Sequence, residues 1–211
     1  MIDPIHIEMA VVITAIPLVS VGAAYLIRRA GLGFSLSARR AFALCLLSCI
    51  IYAAVFSFLT LKRYEAYNAG MLDFGGMDQA IWNTQKGRFL EVTSLEWGQT
   101  RRLAAHVEPS FALFSPVYLL WDDPRALLLL QTLLVAFGAV PVYLFARRQT
   151  GGNGTALALS LAYLLNPSLH FANRSDFHGD TVAVIFVLGA IYFFASGRML
   201  WFWIFAVIAM G

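Results

Sequence analysis

Long apolar runs, separated by short polar connections, make up most of this chain. About twenty apolar residues are needed for a helix to cross a bilayer. Ala10 to Ile27 meets that length with a kink predicted at Pro17, and Ala41 to Leu61 meets it without a break. Ala126 to Phe145 is a third run, with Pro141 inside it. Thr155 to Leu169 is shorter and is predicted to break at Asn166-Pro167, close to the membrane surface. Thr181 to Ala195 follows, and Met199 to Met210 opens another apolar run too short to cross. The pattern predicts an all-α polytopic integral membrane protein of about five to six transmembrane helices.

Three regions follow. Residues 1–61 read as two N-terminal transmembrane helices joined by an arginine-rich turn. Residues 62–125 read as a long outer loop with interfacial or re-entrant helices rather than as a soluble domain. Residues 126–211 read as a transmembrane helical bundle, expected to be the front part of a larger one. Within the loop, Met77 to Gln85 has the spacing of a short amphipathic helix begun after a flexible Gly75-Gly76 pair, with Asp78, Trp82 and Gln85 on one face. Phe111 to Trp121 is apolar but about eleven residues long, the length of a re-entrant or interfacial helix.

Charge gives these elements a direction. The twelve carboxylates fall only in the N-terminal tail (Asp3, Glu8), between Glu65 and Asp123, and at Asp176 and Asp180. The remaining connections carry only arginines: Arg28, Arg29, Arg39 and Arg40, then Arg147 and Arg148, then Arg198. The positive-inside rule makes those turns cytoplasmic, so the N-terminus and the 62–125 loop face outward. A 60% hydrophobic, 13% charged chain with mean hydropathy +0.72 is far from a soluble domain. The net charge of +3 comes from the arginine turns, which suit lipid headgroups and orientation and imply no nucleic-acid partner. Cys45 and Cys49 stand one helical turn apart in an apolar run and read as packing residues. The acidic start and long apolar run do not read as a cleavable signal peptide.

The outward face holds the candidate chemistry. Asp73 and Asp78 flank the glycine pair, where a helix N-terminus would offer free N–H groups to an anion and Asp73 could take a proton from a hydroxyl. Capping of a short helix is the competing reading of both acids. His106 and Glu108 precede the Phe111 segment, with Arg101 and Arg102 just before them. His170, Asn173, Arg174, Asp176, His178 and Asp180 form a third polar cluster. Such His and Arg side chains also anchor helices at headgroup level without reacting. A divalent metal is a candidate ligand of the His/Asp set, although no short ligand pair such as His-x-x-x-His occurs, and the cofactor is left open.

These residues carry a resemblance. The string Asp73, Phe74, Gly75, Gly76, Met77, Asp78, Gln79, Ala80, Ile81, Trp82, with Gly87-Arg88 after it, resembles the Asp-Leu-Gly-x-Phe-Asp-Gln-x-Leu-Trp pattern of DUF2079, a bacterial family of predicted multi-pass membrane proteins. His106 to Pro116 is similar to that family's His-Phe-Ser-Pro segment. Leu127 to Arg148 is similar to its Leu-Leu-Gln-x-Leu helix ending in Ala-Arg-Arg, and Ser175 to Asp180 to its Asp-Phe-His-Pro-Glu turn. The likeness runs from Tyr64 to Arg198. The family is grouped with GT-C glycosyltransferases, membrane enzymes that take a sugar from a polyprenyl-phosphate donor at the outer face.

The resemblance implies Asp73 as the essential acid of the first outer loop, with Asp78 as the second candidate. It implies inverting transfer, with a carboxylate as base on an acceptor hydroxyl. His106, Arg101 and Arg102 would serve the departing phosphate, Asp176 and His178 the acceptor or a metal, and Gln79, Trp82, Arg88 and Glu108 would complete the substrate surface. The expected partners are membrane lipids, a polyprenyl-phosphate sugar and other membrane subunits. The alternative class is a non-catalytic accessory subunit of a larger membrane complex, packing through aromatic helices. A transporter fits less well, because no ionisable residue falls at mid-membrane depth.

Overall fold

In a computed structural model, the structure describes residues 36–70, 73–94, 98–104 and 106–211. The predicted span Ala10 to Ile27 and its arginines lie outside the described residues. The chain is mostly helical. Helix α1 (Ala38–Glu65) is N-capped by Ser37, whose hydroxyl accepts from the Arg40 N–H at 3.4 Å. Its 28 residues and apolar composition suffice to cross a membrane. Ala41, Cys45, Cys49, Tyr52 and Ala53 are buried, a mostly small-residue stripe at helical spacing that lets other helices approach. The opposite face exposes Leu47 (51%), Ile50 (57%) and Phe58 (61%), an apolar surface that suits lipid and not water. Both cysteines are buried free thiols, and the Cys45 Sγ lies 3.9 Å from the Ala139 carbonyl, as expected of packing residues.

Two further helices, α4 (Arg125–Phe137) and α5 (Ala139–Thr150), run on as a second 26-residue candidate span. Their junction has a physical cause. Pro141 has no N–H to offer the Phe137 carbonyl, and the Tyr163 hydroxyl donates to the Val135 carbonyl at 2.8 Å. Gly138 permits this approach, since a Cβ there would run into the Tyr163 hydroxyl. Gly138→Ala is therefore expected to destabilise the fold. Overpacking costs about 1–3 kcal/mol, against roughly 1 kcal/mol regained by removing glycine from a helical position. A lowered unfolding midpoint in detergent, partly restored by adding Tyr163→Phe, would confirm the contact, the ring carbon at 2.8 Å remaining close.

Helix α6 (Asn153–Leu164) stops before Asn166-Pro167, as the sequence predicts, and Asn166 caps α7 (Pro167–Arg174) by accepting from the Ser168 N–H at 2.9 Å. Helices α8 (Gly179–Ala195) and α9 (Met199–Met210) pack on each other as an antiparallel pair of shorter apolar helices. Helix α1 packs on α4, α5, α6 and α7, and α8 on α4 and α5.

Residues 62–125 differ from expectation in two places. Helix α2 spans Asp73–Gln85, so Gly75 and Gly76 lie inside its first turns instead of forming a turn before Met77. The earlier start buries Phe74 in the core. A hairpin of β1 (Glu91–Ser94) and β2 (Gly98–Arg101), paired antiparallel with Glu91 opposite Arg101, follows. The Phe111 segment is two short pieces, a 3-10 helix (Pro109–Phe114) and α3 (Val117–Leu120), neither long enough to cross. Among the described residues, the loop shares its core with the bundle. Phe74 and Ile81 of α2, Leu90, Phe111, Phe114 and Tyr118 join Leu127 and Leu128 of α4, Phe177 of the α7–α8 connection and Val182 of α8 in one cluster. Phe111 and Phe177 meet edge-to-face at 5.7 Å, an arrangement worth about 0.5–1.5 kcal/mol beyond burial.

Candidate functional site

The candidate site forms where α2 lies over α3 and the residues entering α4. On the α2 face predicted from the sequence, Asp78 and Trp82 both reach across to this segment. The Asp78 carboxylate accepts from the Tyr118 hydroxyl, and the Trp82 Nε1–H donates to Asp122 at 2.6 Å. Burial pushes the Asp78 carboxyl above its ordinary range, the Tyr118 hydrogen bond opposes this, and Asp123 and Asp122 add to the rise. Burial, then the Asp78 carboxylate, push the Tyr118 phenol up. Asp123 is held below its ordinary range, chiefly by Arg125, which binds it through Nε (2.8 Å) and Nη2 (2.7 Å). Cations flank Trp82: the Lys86 ammonium sits 5.1 Å and the Arg88 guanidinium 5.7 Å from its ring. The surface thus combines a carboxyl that holds its proton more tightly than usual, an aromatic face and two cations loosely paired with acids, Lys86 with Asp122 at 3.7 Å and Arg88 with Glu91 at 3.9 Å.

The other predicted residues divide. Asp73 is the first residue of α2 and exposed. Two N–H groups of this helix start, those of Phe74 and Gly75, donate to the Gly70 carbonyl, at 3.1 and 3.3 Å. Gln79 clamps the hairpin, accepting from the Thr93 N–H at 2.9 Å and donating to its hydroxyl at 3.1 Å. Arg88 also donates to the Asn83 side chain. Arg102 pairs with Glu108 through Nε (2.8 Å) and Nη2 (2.7 Å), while Arg101 and His106 are exposed. Each member of the Arg102–Glu108 pair neutralises the other.

Asp176 is a tie. Its carboxylate accepts from Arg63 Nη1 at 2.7 Å and from the Gly70 N–H at 2.8 Å, fastening the end of α1 and the following turn to the α7–α8 connection. His178 precedes α8, its N–H donating to Gln131 Oε1 at 2.9 Å and its Nδ1 lying 3.0 Å from the Asp176 carbonyl. Gln131 Nε2 also donates to the Asp176 carbonyl at 3.3 Å. Among the described residues, no group of three or more His, Cys, Asp or Glu side chains is placed to hold a metal ion.

Sequence reasoning missed Tyr118, Asp122, Gln131 and Arg63. Gln131 did carry a signal, as the one amide in the apolar run Ala126 to Val135, where a buried polar group must find partners. A family model described as a predicted membrane protein (DUF2079) matches residues 63–210. No curated protein and no solved structure matches the chain.

Proposed function

We propose, from the premise that the chain belongs to the DUF2079 family of predicted membrane proteins, that it is a GT-C-like glycosyltransferase or the N-terminal portion of one, moving a sugar from a polyprenyl-phosphate donor at the outer membrane face. It sits in the bacterial cytoplasmic membrane as a multi-pass protein of five to six spans. The orientation draws support from one contact. Arg148 Nε donates to the Ala195 carbonyl at 3.0 Å, which joins two of the arginine-only connections at one end of the bundle. The Arg63–Asp176 tie joins two acid-bearing stretches.

The observation that carries the reading is Asp78, a half-buried carboxyl with a raised proton affinity beside Trp82 and its cations. Asp78 acts as the base. The acceptor hydroxyl gives its proton to the Asp78 carboxylate as its oxygen bonds to the anomeric carbon from the face opposite the phosphate. The bond from that carbon to the phosphate oxygen breaks, and polyprenyl phosphate leaves with the electron pair. Trp82 offers an apolar platform to a sugar ring, and Lys86 and Arg88, held only loosely by Asp122 and Glu91 at 3.7 and 3.9 Å, turn to offset the phosphate charge. Asp73, exposed at the start of α2, is the second carboxylate of the same loop.

The pH dependence tests this assignment. A base works deprotonated, so transfer should rise with pH along a limb displaced above the ordinary aspartate value of about 4. Stability should move the other way. A carboxyl with a folded-state pKa above its unfolded value contributes stability at low pH that is lost as pH rises through the folded-state value. A transfer limb at or below the ordinary value would remove Asp78 from the base role.

A second reading, a non-catalytic subunit of a larger membrane complex, is favoured by α9, which has no buried residue and exposes Leu200 and Trp203. Such a face packs against a partner as readily as against lipid.

A further inference from the structure

Away from the α2 face, where α1 ends against α7, the structure holds a cavity of about 500 Å³ lined by Arg63, Pro167, His170, Phe171, Arg174 and Ser175. The charges at its wall are unequally used. Arg63 spends Nη1 on Asp176, and its side chain keeps 28% exposure. Arg174, the last residue of α7, is exposed and has no hydrogen-bond or ion-pair partner among the described residues. Ser175 returns its hydroxyl to the Phe171 carbonyl at 3.0 Å. The His170 ring is fixed from three sides: its Nε2 lies 2.6 Å from the Leu164 carbonyl, and Phe56 and Tyr52 of α1 hold it at 4.8 and 5.8 Å.

The other wall is apolar. Phe171 is 78% exposed, and Pro167 lines the same cavity. Phe56 of α1 lies against the His170 ring on this side and continues the apolar lining toward the bilayer. Two arginines of which one is unpaired, a fixed imidazole, and an adjoining apolar strip match a ligand with an anionic head and a hydrocarbon chain. Arginine guanidinium groups suit phosphate, whose oxygens accept parallel N–H donors. The position, at the last turn of a candidate span, is the depth at which headgroup phosphates lie.

We propose that this cavity binds the phosphate headgroup of a membrane lipid, with Arg174 and Arg63 on the phosphate, His170 at its side and the chain running over Phe171 and Pro167. The site is separate from Arg101, Arg102 and His106, and it does not depend on sugar transfer, because binding is read without turnover.

The test is a titration of the intact detergent-solubilised protein with dioctanoyl phosphatidic acid, followed by phosphorus NMR and calorimetry, with inorganic phosphate titrated in parallel. Saturable binding of the lipid is expected, and Arg174→Gln should weaken it at least about tenfold. That arginine is exposed, so the variant should keep the wild-type unfolding midpoint. Arg198→Gln, which removes the same charge from the distant arginine turn, should leave binding unchanged. Equal weakening by both variants would reduce the effect to net charge and overturn the site, as would unaltered binding in Arg174→Gln. Inorganic phosphate binding as tightly as the lipid would overturn the lipid assignment.

Discussion

Asp78→Asn is expected to lower sugar transfer by roughly 10²–10⁴-fold, the contribution of a positioned general base, while leaving the protein folded. The substitution separates charge from shape. An asparagine Oδ1 can still accept from the Tyr118 hydroxyl, so the α2–α3 contact persists and only proton affinity is lost. Because Asp78 is half-buried and already resists ionisation, a neutral amide should leave the unfolding midpoint unchanged or slightly raised at neutral pH. Loss of transfer together with loss of folding would point to a structural carboxylate. The same substitution at Asp73 gives the comparison, since that side chain is exposed and its removal disturbs no described contact.

The second large effect concerns architecture. Asp176→Ala should cost about 1–3 kcal/mol, because it strips a partly buried ion pair of one partner and leaves the Arg63 guanidinium and the Gly70 N–H without that acceptor. The Asp176 side chain is only 12% exposed, while the Arg63 guanidinium, at 28%, can turn part of its charge to water, which keeps the loss below that of a fully buried pair. Gly70 belongs to the same arrangement, as a Cβ there would stand 2.8 Å from Asp176 Oδ2. A markedly lowered unfolding midpoint in detergent, with faster proteolysis between α1 and α2, is the expected result. A midpoint within a degree of wild type would show that the tie contributes nothing.

Both residues illustrate which part of the molecule the sequence discloses. The first described span, α1, and the α4–α5 element are legible because length and apolarity alone define a membrane helix. The end of α6 is legible because Asn-Pro combines a cap with a residue that cannot continue a helix. The start of α2 is misread, because the glycine pair that suggests a turn is overridden by burial of Phe74 and by the Gly70 carbonyl serving two N–H groups. The hairpin is invisible to periodicity. Glu91 to Ser94 and Gly98 to Arg101 lack alternating apolar residues, and the Gln79–Thr93 clamp and the Asn83 bond to the Glu91 carbonyl (2.8 Å) support them from α2.

The same division holds at the site. That Asp78 and Trp82 share a face follows from their spacing of four on a helix, and the structure brings that face against a partner surface. Which partners meet it does not follow, since Tyr118 and Asp122 each lie forty residues further along. Arg102 and Glu108, read separately as substrate residues, become one ion pair because the chain turns back between them, six residues apart. Long-range pairing is set by the packing of apolar neighbours, and a list of polar residues holds no record of it.

The most direct test of the transferase reading follows the donor itself. Proteoliposomes of the wild-type chain, loaded with polyprenyl-phosphate hexoses and a bacterial membrane-glycan extract as acceptor, would be assayed by mass spectrometry for release of the free polyprenyl phosphate. Conversion of the donor by the wild-type protein, and its loss in Asp78→Asn at an unchanged unfolding midpoint, is the result expected here. Failure of the wild type to consume any donor would contradict transfer and leave the accessory-subunit reading, while equal consumption by both proteins would contradict Asp78 as the base.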